Sequence, residues 1–110
     1  MFKLISVVVL SLALGACPAG ETGEACTADG DCESSRCVTG GSFPGGLCTP
    51  ECNNDSECPE GFSCVSRSSG ICLKNCGSDA ECESERGTSW QCREESLEAG
   101  GGNRNVCIGD

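Results

Sequence analysis

The only long apolar run of the chain lies at its amino end. Residues 4–14, LISVVVLSLAL, contain no charged residue; they follow a single cation, Lys3, and precede the small residues Gly15 and Ala16. A transmembrane helix needs about 20 apolar residues, so this run is too short to cross a bilayer. The pattern is typical of a secretory signal over residues 1–16, and it predicts that the rest of the chain leaves the cytoplasm.

Large apolar side chains are scarce and show no helical period after this run. With so little to bury, a chain of this length is expected to stay disordered unless it is crosslinked. Besides the cysteines, the candidates for a core are Val38, Phe43, Leu47, Phe62, Val65, Ile71, Leu73, Trp90, Leu97, Val106 and Ile108.

Cysteines supply the missing crosslinks, and their spacing has a repeat. After Cys17, twelve cysteines form three successive quartets that open with CTADGDC, CNNDSEC and CGSDAEC. A constant first gap and a variable last gap indicate a fixed opening turn and a variable closing loop in each unit. We therefore predict a small disulfide-rich fold of three tandem four-cysteine repeats, with short hairpins and turns and little regular secondary structure. The expected repeats are residues 26–50, 51–74 and 75–110, after a flexible tether at 17–25.

Disulfides are favoured over zinc for these quartets. The chain has no histidine, only one pair within a quartet, Cys32 and Cys37, has the C-x2-4-C spacing of zinc sites, and the expected export places the cysteines in an oxidising compartment. Four cysteines allow three pairings; we favour first with third and second with fourth, because crossing bonds fix one compact shape. The predicted pairs are Cys26–Cys37, Cys32–Cys48, Cys52–Cys64, Cys58–Cys72, Cys76–Cys92 and Cys82–Cys107.

Cys17 is the thirteenth cysteine, and an odd cysteine in an exported protein needs its own explanation. The stretch Leu14, Gly15, Ala16 and Cys17 resembles the lipobox of bacterial lipoproteins. The resemblance implies cleavage before Cys17, whose sulfur carries a diacylglyceryl group, and a protein anchored by lipid at the cell envelope. The alternative is an ordinary secretory signal cut after Gly15 or Ala19, with Cys17 incidental.

The repeats also resemble known cysteine-rich units. Their C-x-x-D-x-[DE]-C opening and the stretch CPEGFSC at 58–64 look like repeats in the N-terminal region of Dickkopf proteins, in EB-type modules and in secreted proteins of myxobacteria. Such units are scaffolds for unrelated functions. Whey acidic protein domains, many of which inhibit serine proteases, share the D-x-D-C fragment, but this chain lacks their adjacent pair of cysteines.

Acidic residues dominate the charge. Cleavage before Cys17 leaves 17 acidic and six basic residues, a net charge near −11, which argues against nucleic acid as a partner and against electrostatic adhesion to anionic lipid. The repeated Asp29, Asp55 and Asp79 are expected to stabilise local turns by accepting hydrogen bonds from backbone N–H groups two or three residues on. A weaker interpretation is a calcium site at Asp29, Asp31 and Glu33, whose oxygens alternate along the chain.

Two features of the third repeat call for interpretation. Trp90 is expected to form the local core of that repeat rather than an exposed anchor for a partner. The insertion ESLEAGGGNRN, residues 95–105, is expected to form a mobile loop because of its three consecutive glycines.

Catalysis is not expected. The chain lacks His and Tyr, its cysteines are assigned to lipid or disulfides, and too few apolar residues are present to bury a carboxylate and raise its pKa. We expect no cofactor and no metal. The predicted function is an interaction module in which loops 38–47, 65–71 and 93–106 contact a protein or glycan. The alternatives are a structural spacer or coat lipoprotein without a ligand and, more weakly, a protease inhibitor acting through Arg36.

Overall fold

A computed structural model describes residues 19–109. Each repeat has the same order, an opening turn or short helix followed by an antiparallel hairpin. In repeat 1 a 3-10 turn at Asp29–Asp31 precedes β1 (Cys37–Val38) and β2 (Leu47–Cys48). In repeat 2 a 3-10 turn at Asp55–Glu57 precedes β3 (Phe62–Val65) and β4 (Ile71–Lys74). In repeat 3, α1 (Asp79–Arg86) precedes β5 (Trp90–Ser96) and β6 (Asn103–Gly109). The predicted fold class, a small disulfide-rich protein with short hairpins, is confirmed.

The register of the hairpins explains how two disulfides fit into one repeat. The third and fourth cysteines of each repeat lie opposite one another across the hairpin: Cys37 with Cys48, Cys64 with Cys72, and Cys92 with Cys107. Directly opposed residues project to the same face of a hairpin. Both cysteines therefore face the opening segment, which packs on that side of the hairpin and carries the first and second cysteines of the repeat.

The six disulfides of the structure have the connectivity favoured from the sequence. They join Cys26 to Cys37, Cys32 to Cys48, Cys52 to Cys64, Cys58 to Cys72, Cys76 to Cys92 and Cys82 to Cys107. Most of these sulfurs are buried, and one small cluster of half-cystines lies inside each of repeats 1 and 2. The cystines thus fill the space that a conventional core would occupy.

A single apolar cluster joins the three repeats. Trp90 is 1 % exposed and belongs to a core that repeats 1 and 2 also build, so it is not the local core of repeat 3 alone. The members of this shared core are Val38, Phe43 and Leu47 of repeat 1, Val65, Ile71 and Leu73 of repeat 2, and Cys82, Trp90, Val106, Cys107 and Ile108 of repeat 3. The repeats therefore depend on one another for burial.

The glycine-rich insertion, residues 95–105, was expected to form a mobile loop, but five of its eleven residues belong to strands β5 and β6. Strand β5 continues to Ser96 and β6 begins at Asn103, so only 97–102 form the turn. That turn is held against repeat 2, because Ser66 N donates to Ser96 O at 2.8 Å and Glu98 N donates to Cys64 O at 3.0 Å. Docking of the hairpin tip on β3 replaces the mobility that the composition suggested.

The segment before repeat 1 is also bound. Gly20 N donates to Asp31 O at 2.7 Å, Gly23 N donates to Cys48 O at 2.8 Å, and Cys48 N donates to Glu24 O at 2.8 Å. The expectation of flexibility is therefore wrong for residues 20–24 of the predicted tether, which are hydrogen-bonded to the opening turn of repeat 1 and to Cys48 of β2. No helix within residues 19–109 has the length and hydropathy to cross a bilayer.

Candidate functional site

The repeated aspartates Asp29, Asp55 and Asp79 have the same structural role in each repeat. Each one accepts a hydrogen bond from a residue outside its own turn. In each repeat the Oδ1 atom accepts a hydrogen bond of 2.8 Å from the backbone N–H of the third cysteine: Asp29 from Cys37, Asp55 from Cys64, and Asp79 from Cys92. The donor was expected two or three residues after the aspartate. The actual donor lies 8, 9 and 13 residues later in the three repeats, in the first strand of each hairpin. Each aspartate thus ties the opening turn to the strand that carries the third cysteine.

The second acid of each opening motif stabilises the same turn by a hydrogen bond to its beginning. Asp31, Glu57 and Glu81 accept hydrogen bonds from the backbone N–H of the residue after the first cysteine, namely Thr27, Asn53 and Gly77. Asp31 also accepts from the Thr27 hydroxyl and from Ala28 N. These hydrogen bonds stabilise the ionised carboxylate and hold the pKa of Asp31 below its usual value.

The weak calcium candidates are arranged around backbone donors. Asp29 Oδ1 and Asp31 Oδ2 already accept N–H groups, and Glu33 is exposed beside them. A calcium site needs six to eight oxygens directed at one point. Within the described part of the chain, the sets of three ligand atoms that lie within 4.8 Å of one another consist of cysteine sulfurs already engaged in disulfides.

Removing the carboxylate of Asp79 should destabilise the protein, because it accepts the Cys92 N–H that anchors β5. We expect Asp79→Ala to lower the free energy of unfolding by about 1.5–3 kcal/mol, the usual range for a hydrogen bond with one charged partner. Thermal or urea unfolding monitored by circular dichroism measures this. Glu83→Ala is the matched control, since it removes an equally exposed acid from α1. An equal loss in both variants would contradict the assigned role.

Two glycines were missed by the sequence reasoning. Gly46 and Gly70 stand two residues before the fourth cysteine of repeats 1 and 2, with φ values of 78° and 98°. A Cβ atom at Gly46 would lie 2.0 Å from Cys26 O, and one at Gly70 would lie 2.2 Å from Cys52 O. The shared G-x-C ending of the two hairpins was the available signal, and it marks the close approach of the hairpin to the first cysteine.

The basic residues mostly bind across repeat boundaries. Arg36 of repeat 1 donates to Ser68 O of repeat 2 at 2.6 Å, and Arg67 of repeat 2 forms a bidentate ion pair with Glu95 of repeat 3. The hydrogen bond to Glu95 raises the pKa of Arg67.

Charged side chains of repeat 3 also bind residues of repeat 2. Arg104 donates to Ser63 Oγ of repeat 2 at 3.0 Å, and Glu85 pairs with Lys74 at 3.0 Å. These cations therefore connect the repeats while the side chains of Arg67, Lys74 and Arg104 stay 40 %, 42 % and 44 % exposed.

Arg86 is the most central of these cations. Its guanidinium donates to the carbonyl oxygens of Gly23, Pro44 and Gly46, all in repeat 1 or the segment before it, and lies 4.4 Å from the centre of the Trp90 ring. Burial lowers the pKa of Arg86, because desolvation disfavours its charged form. The three carbonyl acceptors and the ring face compensate for the lost water.

A groove of about 240 Å³ opens beside Arg86, where the three repeats meet; we call it the junction groove. Leu47, Phe62, Leu73 and Trp90 supply its apolar surface, and Phe62 is only partly buried. Its polar rim comes from the segment before repeat 1, from the end of β4 and from α1. The lining is completed by Thr22, Gly23, Glu24, Lys74, Glu85, Arg86 and Cys107.

The three loops expected to contact a ligand are used largely within the molecule. In loop 38–47, Phe43 is buried and Pro44 O accepts hydrogen bonds from Trp90 Nε1 and Arg86. In loops 65–71 and 93–106, Arg67 and Glu95 bind each other. The structure brings these loops together as parts of an internal interface, and of their residues only Leu47 lines the exposed junction groove.

The lipobox residues Leu14, Gly15, Ala16 and Cys17 lie outside the described residues, so the lipid anchor stays a prediction. No protein-family model matches this chain, and neither does any curated protein or any solved structure.

Proposed function

We propose that this chain is a lipid-anchored binding protein of a bacterial cell envelope, with an extracytoplasmic domain that presents the junction groove to a protein or glycan ligand. The observation that carries the proposal is the groove itself. All three repeats line it, and the disulfides hold the surrounding backbone in place. A rigid concave site with an apolar surface and a few polar groups at its rim is the usual form of a binding site.

The anchor in this proposal is Cys17. The lipobox resemblance supports it, and so does the cysteine count, because each of the twelve later cysteines has a disulfide partner within residues 19–109. Two or more acyl chains give a stable attachment, whereas one chain gives a marginal one. The bound segment 20–24 would then place the first repeat close to the membrane.

Binding is proposed in preference to catalysis. The support is the sequence, which has no His and no Tyr. The inhibitor alternative receives no support from Arg36, since an inhibitory loop presents its basic side chain outward. Here the Arg36 side chain is half-buried and donates to Ser68 O at 2.6 Å, while its carbonyl oxygen accepts from Thr49 N at 3.3 Å.

Envelope extracts passed over the oxidised full chain, and over the same chain reduced and alkylated, test the proposal. We expect a partner that the oxidised protein alone retains. Phe62→Ser, which removes an apolar side chain from the groove, should lose this partner. Leu97→Ser, which changes a half-buried leucine at the hairpin tip outside the groove, should keep it.

The possible results separate the functional classes. Retention by the reduced chain, or retention of nothing by either form, would contradict a binding role and favour a spacer or coat. Intact mass of the exported protein tests the anchor: acylation at Cys17 adds the mass of the lipid, and six disulfides remove twelve hydrogens. A mature chain without added lipid would contradict the anchor and leave the binding role standing.

A further inference from the structure

If the proposed binding function holds, the lining and the charges of the junction groove indicate which class of ligand it binds. We propose that the groove accepts an apolar side chain of a basic peptide segment, and that the acidic surface around it selects the basic residues flanking that side chain. Three features of the molecule favour such a ligand: the size of the groove, the nature of its surface, and the distribution of charge around it.

Size favours a side chain over a metabolite. The more enclosed part of the groove has a volume of about 240 Å³, below the about 300–1,000 Å³ typical of small-molecule sites, and a more open depression of about 550 Å³ adjoins it along Gly23, Glu24, Glu85 and Arg86. Leu47, Leu73 and Trp90 form the base of the groove but are only 4 %, 1 % and 1 % exposed, so the partly buried Phe62 supplies most of the apolar surface that remains accessible. Covering that apolar surface with a leucine or phenylalanine side chain removes it from water, which is the main favourable contribution to such binding.

The groups at the rim are not equally available to a partner. Lys74 is paired with Glu85 at 3.0 Å, and Arg86 is directed at backbone carbonyl oxygens. Glu24 is exposed at the same rim, and from residues 19–109 its carboxylate accepts only the backbone N–H of Glu21 at 3.1 Å. A carboxylate that accepts one backbone hydrogen bond keeps further acceptor capacity. Glu24 is therefore the rim group best placed to receive a cation.

The wider surface reinforces this preference. Of the 16 acidic residues between 19 and 109, all except Glu95 are exposed, whereas most of the six cations reach across repeat boundaries. The surface that a partner meets is therefore strongly negative. Such a field raises the rate of encounter with positive partners and disfavours negative ones.

Three peptides test the inference against the oxidised full chain in a non-ionic detergent. The probe is acetyl-Lys-Lys-Leu-Phe-Lys-Lys-amide. One comparison peptide has Glu in place of every Lys, and the other has Ser-Ser in place of Leu-Phe. We expect calorimetry to show the probe binding at least about tenfold more tightly than either comparison, and more weakly as added salt screens the charges. Trp90, the only tryptophan, should change its fluorescence with the probe because it lines the groove.

Two charge-reversal variants locate the site. Glu24→Lys should weaken binding of the probe about tenfold, the effect of about 1.4 kcal/mol. Glu94→Lys, which makes the same change of charge at an exposed position outside the groove lining, should weaken it far less. Equal effects of the two variants, or equal binding of the Ser-Ser peptide, would show attraction to net charge alone and overturn the inference.

Other occupants are further outcomes of the same experiment. Displacement of the probe by a free fatty acid would identify the groove as an acyl-chain site and overturn the inference, as would equal binding of the Glu peptide. If envelope extracts yield a partner that the oxidised protein retains and the probe does not displace, the proposed binding function stands and this inference fails.

Discussion

Reduction of the disulfides is expected to unfold the entire domain rather than loosen one repeat. The loops closed by the six bonds span 11 to 25 residues in sequence separation, and closing a loop of this size contributes about 3 kcal/mol in the chain-entropy model. Six such contributions together exceed the about 5–15 kcal/mol by which domains are normally stable. The shared core, which contains few large side chains, does not compensate for their loss.

The measurement is the near-ultraviolet circular dichroism of Trp90, together with the thermal unfolding transition, before and after reduction and alkylation. We expect both signals of the folded state to disappear on reduction. A reduced and alkylated chain that keeps a cooperative transition would contradict the dependence on disulfides. The same reagent leaves a thioether at Cys17 intact, so lipid attachment does not confuse the result.

Single-bond variants refine this test. Replacing both Cys82 and Cys107 by Ala should cost more than replacing both Cys26 and Cys37, because loop lengths of 25 and 11 residues differ by about 0.7 kcal/mol in loop entropy. Cys82 and Cys107 also belong to the shared core, whereas Cys26 belongs to a cluster confined to repeat 1. A larger loss from the repeat 1 pair would show that the core is not shared as described.

Trp90→Ala is expected to be the most destabilising substitution outside the cysteines. The side chain is 1 % exposed, its Nε1 donates to Pro44 O at 3.1 Å, and Arg86 lies over its ring. Truncation of a buried aromatic side chain typically costs about 3–5 kcal/mol. The effect should reach repeat 1, since Trp90 Nε1 loses its hydrogen bond to Pro44 O, 46 positions earlier in the chain, and the shared core includes residues of repeat 1.

Hydrogen exchange read by mass spectrometry distinguishes a shared core from a local one. In Trp90→Ala we expect the amides of repeat 1, among them Cys48, to lose protection together with those of repeat 3. Trp90→Phe is the control: it keeps an aromatic ring and removes the donor to Pro44 O, so the cost should be smaller, about 1–2 kcal/mol. Loss of protection confined to repeat 3 would contradict the coupling between repeats.

Much of the framework was predictable because it depends on neighbours in sequence. Each opening motif contains the aspartate that accepts the third cysteine N–H and the acid that closes the turn. The two acids recur at the same spacing in all three repeats, so their structural role was visible as a repeat, although the distance to the donor was not. The crossed disulfide pairing likewise joins residues at most 25 positions apart.

The groove and the shared core were not predictable in this way. Trp90 is joined to Pro44 across 46 positions, and Arg86 is joined to Gly23 across 63. The acceptors, Pro44 O and Gly23 O, belong to no sequence motif. Every residue has a backbone carbonyl oxygen, and no side-chain pattern identifies which ones will accept a side-chain hydrogen bond. The same holds for the hairpin tip at Leu97, whose three following glycines suggested mobility before β3 was known to lie against it.

The sequence by itself predicted export, and it determined a disulfide-crosslinked fold of three repeats whose cysteines and acids act within about 25 positions of one another. The tertiary structure decided how the repeats face each other, which cations cross between them, and where a groove remains open. The physical reason is that bonds within a repeat follow from local spacing. The packing of one repeat on another depends instead on the fit of a few apolar and basic side chains, which recur in no pattern along the chain.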